Sequence, residues 1–317
     1  MKAFQKFYYP GLLALFVIFT AGEYAFAQQT VLLPRPSQKA SVMQRVGVTD
    51  LTITYSRPAV KERKIWGDPP PTATVGGTAT LDDARARPKD AVIVPYGHVW
   101  RSGANEATQF ITTDDVLING QPLKAGTYSL HTIPGREEWT VIFNSDAGQW
   151  GSFTYDEKKD TLRVKVKPQT VADSQEWLMY TFDPVTDKSA QVNIRWEKVR
   201  VPFTVEVKDV NTLTLEKARI AIAAAKPDDW RTPLQAANYA FQNNNPSDDE
   251  EAMSWLERSI KVKETFGNMY SKARMLAFLG KTQEAIAAGE KALQLGKQEK
   301  ANTADLEKRL AEWKAKT

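Results

Sequence analysis

The chain has 317 residues, with 42 lysines and arginines against 38 aspartates and glutamates, two histidines and no cysteine. The lack of cysteine excludes disulfides, thiol nucleophiles, cysteine-ligated metals and a thioether lipid anchor. A net charge of +4 spread over so many charges of both signs gives no reason to expect a nucleic-acid partner.

In chain order, Lys2 and Lys6 precede an apolar stretch from Gly11 to Ala21 broken only by Thr20. Ala25 and Ala27 then stand at the two positions a signal peptidase reads, so residues 1–27 are predicted to be a signal peptide cleaved before Gln28. The apolar run is shorter than the ~20 residues a membrane helix needs, Glu23 closes it, and no later stretch is long enough. Export to the periplasm or the medium is expected, with no membrane span after cleavage.

Residues 28–208 alternate in the manner of half-buried strands. Leu51, Ile53 and Tyr55 alternate with threonines. Trp139, Val141 and Phe143 alternate with Thr140 and Ile142, and Leu162, Val164 and Val166 with Arg163, Lys165 and Lys167. Val192, Ile194 and Trp196 form one further set, and Val201, Phe203, Val205 and Val207 another. Asn119-Gly120 signals a two-residue hairpin. Short strands with one apolar face each must cover one another, which predicts a jelly-roll-like antiparallel β-sandwich, with a closed barrel as the alternative. Residues 67–90, rich in proline, glycine and threonine, read as a long surface loop inserted into this domain.

Near residue 210 the period becomes helical. Leu215, Ala218, Ile222 and Ala225 share a face, and Pro227 ends that helix. "EAMSWLERSI" (251–260) and "EAIAAGEKAL" (284–293) then align at an offset of 33 residues, each preceded by another helical stretch. Paired helices at this period, with alanines where helices touch, resemble degenerate tetratricopeptide repeats. The fold class is therefore α+β in separate domains, a β-sandwich followed by an α-helical solenoid over residues 211–317. Residues 28–208 are expected to fold alone.

Chemistry concentrates in "VPYGHVWRSGANEATQF", residues 94–110. Two isolated histidines, His98 and His131, make no common metal site, so no metal and no cofactor is expected. Ser129 and His131 share one strand face, but neighbouring side chains on one face are expected to lie too far apart for a routine hydrogen bond. Arg101 can fork onto a carboxylate, a phosphate or a sugar hydroxyl pair, and Trp100 offers a stacking plane. Equally, Arg101 can pair with Glu106, Asn105 can cap backbone amides, and Trp100 can fill the core. Trp139, Trp177 and Trp196 read as core, whereas Trp66 and Trp150 read as loop aromatics suited to a ligand. The candidate ligand-binding set is Tyr96, Trp100, Arg101, Asn105, Glu106 and Trp150; no catalytic residue is assigned.

"SRPAVKERKIWG", "VPYGHVWRSGANEATQF", "LKAGTYSLHTIP", "EWTVIFN", "QWGSFTYDEKKDTLRVKVKP" and "NIRWEKVRVPF" follow one another in order. Over about residues 35–208 this series resembles an uncharacterised family of exported bacterial proteins, the DUF2911 domain of unknown function. The resemblance implies export, the domain boundary and a helical tetratricopeptide-like tail, and it carries no activity. It leaves Arg101, Gly103, Asn105 and Glu106 as the functional positions.

Three functional classes are compatible with these residues. The first is a non-enzymatic envelope protein that binds a small molecule or glycan on its β-domain and a protein partner on its helical tail. The alternatives are a purely structural assembly module, and a hydrolase of glycans or esters that uses Glu106. The reading leans away from an enzyme.

Overall fold

A computed structural model describes residues 33–69, 91–243 and 249–316. The predicted signal peptide and residues 70–90 of the predicted loop lie outside the described residues. The chain divides into two units, residues 1–35 and 36–317, and all of the described strands and helices lie in the second.

The first half is β-rich. Strands β1 (Gln38–Val46), β2 (Thr49–Arg57), β5 (Thr108–Thr112), β8 (Gly126–Ile133), β9 (Trp139–Asn144) and β10 (Asp160–Val166) pair antiparallel in that spatial order. A second, four-stranded sheet runs β11 (Gln169–Val185), β12 (Ser189–Glu206), β6 (Val116–Ile118) and β7 (Gln121–Leu123). The short strands β3 (Trp66–Gly67) and β4 (Val94–Pro95) pair parallel to each other. The two-residue turn between β6 and β7 is the predicted Asn119-Gly120, at φ of 46° and 81°. Both values lie in the left-handed region that this turn type needs.

The alternation reads directly as burial. Leu51, Ile53 and Tyr55 point into one hydrophobic core together with Phe110, Leu130, Val141 and Phe143 of the six-stranded sheet. Tyr180, Val192, Trp196, Phe203 and Val205 of the four-stranded sheet complete that core. Phe143 and Phe203 meet edge to face at 5.9 Å. Four tryptophans gather at one place in it. Trp66 lies 5.0 Å from Trp139, 5.5 Å from Trp100 and 5.6 Å from Trp196. Two expectations change here. Trp66 belongs to β3 and to this cluster rather than to a ligand-facing loop, and Trp177, expected in the core, is 37% exposed.

The second half holds helices α1 (Val210–Ala224), α2 (Arg231–Gln242), α3 (Asp249–Val262), α4 (Phe266–Phe278), α5 (Thr282–Glu299) and α6 (Ala304–Lys314). The two aligned segments occupy α3 and α5, which pack against α2 and α4 respectively. Ala237, Ala252, Ala273, Ala285 and Ala292 are fully buried, which lets the helix axes approach closely. Helices α1 to α3, with Met275 of α4, share one apolar cluster and α4 to α6 another, with Met253 and Ile260 touching both.

Three residues separate β12 from α1, and Val210 and Leu213 pack against the β core. Lys217 Nζ donates to Asp114 Oδ2 at 2.8 Å and to the Val48 carbonyl at 3.0 Å. A fragment ending at 208 therefore loses apolar cover that a fragment ending at 225 keeps. The shorter fragment, 36–208, is expected to be less stable than 36–225 by about 2 kcal/mol in urea unfolding. Equal midpoints would show that α1 contributes nothing to the β region.

Candidate functional site

The stretch 94–110 folds as a turn locked from several sides. Trp100 is 6% exposed, exchanges backbone hydrogen bonds with Thr132, and donates its indole N–H to the Gly103 carbonyl at 3.1 Å. It stacks on Trp196 at 5.8 Å. Its faces are spent in the core, so it offers no plane to a ligand. Ser102 and Asn105 take φ of 54° and 60°. Asparagine tolerates this region, while a serine there must be held in place. The Ser102 carbonyl accepts from Thr108 Oγ1 at 2.9 Å and from the Tyr180 hydroxyl at 2.8 Å, which supplies the hold. A Cβ on Gly103 would fall 2.7 Å from Thr108 Oγ1, so the turn closes only around glycine.

Arg101 and Asn105 serve the same turn. Arg101 Nη1 donates to the Asn105 carbonyl at 2.7 Å, and that oxygen also accepts from the Gly151 amide at 3.0 Å. Asn105 Nδ2 donates to the Ser37 carbonyl at 3.0 Å. Tyr96 lies elsewhere: Arg136 stands 5.2 Å over its ring, and its amide donates to the Gly67 carbonyl. Glu106 sits beyond the lock and pairs through its backbone with Trp150, which is 52% exposed.

Two residue faces explain the surroundings. On β5, β8 and β9 the core takes Phe110, Leu130 and Phe143, so Gln109, Ser129, His131 and Asn144 point to the opposite face. That face is covered by residues 145–159, which close a buried polar layer over it. Gln149 Nε2 donates to Ser129 Oγ at 3.2 Å and to the Asp146 carbonyl at 3.0 Å. Ser129 Oγ lies 3.2 Å from His131 Nε2, and Ser152 Oγ lies 3.3 Å from His131 Nδ1. The expected separation of Ser129 and His131 is thus overturned. The imidazole is long enough to reach back along the strand, and the covering segment holds it there.

This layer resembles a nucleophile–base pair in composition only. Ser129, His131 and Ser152 are all fully buried, so no substrate atom reaches either hydroxyl. Burial pushes the imidazole down to about 4, which leaves it neutral at pH 7. Next to it, Asp160 accepts from the Tyr155 hydroxyl at 2.6 Å, Arg163 Nε at 2.6 Å and Asn144 Nδ2 at 2.7 Å. Burial and Asp160 hold the Tyr155 hydroxyl well above its usual range. His98 is buried too. Among the described residues, no three histidines or carboxylates come together as a metal site.

The covering segment leaves a cleft of about 90 Å³ at its edge. Lys39, Thr54 and Ser56 line it from β1 and β2, Glu106 and Gln109 from the turn and β5, and Gln149 from the cover. Lys39 stands opposite Ser56, and Thr54 opposite Gln109, which puts them on the same outer face. Gln149 is 6% exposed, and its Oε1 accepts no hydrogen bond among the described residues. Lys39, Ser56 and Gln149 escaped sequence reasoning because lysine, serine and glutamine carry no motif; strand register brings Lys39 and Ser56 together, and the covering segment adds Gln149.

The family model of DUF2911, described as a protein of unknown function, matches residues 37–205. The chain belongs to the DUF2911 family. No curated protein and no solved structure matches it. The matched DUF2911 region runs from β1 to β12, so it contains the locked turn, the buried polar layer and every residue of the cleft, while all six described helices come after it. None of the described helices of this DUF2911 protein is long and apolar enough to cross a membrane.

Proposed function

We propose that this DUF2911 protein is an exported, non-enzymatic envelope protein that binds a small polar ligand at the Glu106 cleft and a protein partner on its helical region. The observation that carries the reading is the cleft itself. It gathers a carboxylate, an ammonium, hydroxyls and amides on a wall fixed by the locked turn. Polar groups converging on a preformed concavity are what specific ligand sites provide. In this reading the two sheets over one core form a jelly-roll-like sandwich within 28–208. The pairs α2–α3 and α4–α5 form a tetratricopeptide-like solenoid within 211–317. The predicted signal peptide at 1–27 supports a periplasmic or extracellular setting.

Among the described residues, Glu106 is the one carboxylate lining the cleft, so the pair of carboxyl groups roughly 5 to 9.5 Å apart that glycoside hydrolysis needs is not offered there. Binding fits better than turnover. Against a panel of small polyols, amines, amino acids and saccharides, at least one compound is expected to raise the melting temperature. At a hundredfold excess over Kd the gain corresponds to about 2.7 kcal/mol. Glu106→Gln should abolish that gain. A panel without effect, or a gain that survives Glu106→Gln, would count against binding at this cleft.

A further inference from the structure

We infer that the ligand is a saccharide chain, seated with the hydroxyls of one terminal unit in the cleft and the next unit on Trp150. This rests on the cleft being a binding site, and adds the chemical class. The volume is the first argument. About 90 Å³ is well short of the roughly 300 Å³ where ordinary ligand sites begin, so only one end of a ligand enters and the rest lies along the neighbouring surface.

That surface is aromatic. Trp150 follows the cleft residue Gln149 in sequence and pairs through its backbone with Glu106 on the opposite wall. It is 52% exposed, and Phe153 of the same turn is 40% exposed. An exposed indole beside polar groups suits the apolar C–H face of a sugar ring, whose hydroxyls reach sideways to hydrogen-bonding partners.

The polar groups narrow the class. Lys39 and Glu106 cancel in charge, and Thr54, Ser56, Gln109 and Gln149 supply hydroxyl and amide groups. Such a set matches a neutral ligand whose groups both donate and accept, as sugar hydroxyls do. Gln149 is the fixed member of the set. Its Nε2 is committed to Ser129 and Asp146, which fixes the amide orientation and leaves Oε1 as a buried acceptor without a donor among the described residues.

The test is calorimetric titration of the full chain with mono- to hexasaccharides of glucose, N-acetylglucosamine and xylose, with glycine, alanine and putrescine alongside. One saccharide series is expected to bind, the disaccharide about tenfold more tightly than the monosaccharide. Trp150→Ala should erase the disaccharide advantage but keep monosaccharide binding, and Glu106→Gln should abolish both. Binding of amino acids or amines without saccharides would overturn the class while keeping the cleft as a site. No binding by any probe would overturn both. Saccharide binding indifferent to Trp150→Ala would overturn the placement on the indole.

Discussion

Alanine in place of Trp100 is expected to remove about 3–5 kcal/mol of stability, the cost of emptying a large core side chain. The position justifies the upper part of that range. Trp100 packs against Trp66, Trp139 and Trp196 within 6.4 Å and also anchors the Gly103 carbonyl through its indole N–H. Its loss opens a cavity and unpins the turn at once. Trp100→Phe should cost less because it refills most of the volume and sacrifices only the hydrogen bond. Urea unfolding of both variants reads the difference. A Trp100→Ala loss below about 1 kcal/mol would mean that the indole is not part of the core.

Stability is expected to fall by about 3 kcal/mol between pH 6.5 and pH 4 on account of His131 alone. An unfolded histidine takes up a proton near pH 6.5. The buried imidazole does so only near 4, because burial disfavours its charged form. Within that window the unfolded chain binds the proton that the folded chain refuses, so stability is full above about 6.5, declines as pH falls, and levels off below about 4. His131→Gln keeps polar atoms facing Ser129 and Ser152 without the titration. The measurement is the difference between wild type and variant in urea unfolding at pH 7 and pH 4.5, which cancels the carboxylates common to both. Parallel pH profiles would show that His131 is not buried and neutral.

Most of the β region was legible in the sequence because alternation is a direct record of burial. The strands around Leu51, Trp139, Leu162 and Val192, and the Asn119-Gly120 turn, stand where the pattern puts them. The last two apolar sets, however, belong to one strand. The buried positions run 192, 194 and 196, then 201, 203 and 205, and that change of parity marks an irregularity in β12. Glu197, at φ of 52°, is where the register shifts. Trp177 misled because its strand is irregularly paired and leaves it exposed.

The site was harder to read for a physical reason. The polar faces of β5 and β8 look solvent-facing in sequence, yet a covering segment with no periodic signal buries them. Ser129 and His131 therefore meet Gln149 and Ser152, which lie 20 and 21 residues away along the chain. Of the six candidate ligand residues, Glu106 lines the cleft and Trp150 stands beside it, while Trp100, Arg101 and Asn105 build the turn that holds them. Tyr96 belongs with Arg136.

The division of labour within the turn is tested most directly by the thermal melts of ligand-free Arg101→Ala and Glu106→Gln. Arg101→Ala removes a charge-assisted hydrogen bond to the Asn105 carbonyl and should cost about 2 kcal/mol, several degrees of melting temperature. Glu106→Gln, which keeps the length and a hydrogen-bonding amide at the cleft, should cost less than Arg101→Ala. The opposite pattern, with Arg101→Ala neutral and Glu106→Gln strongly destabilised, would make Arg101 the ligand reader and Glu106 the structural element.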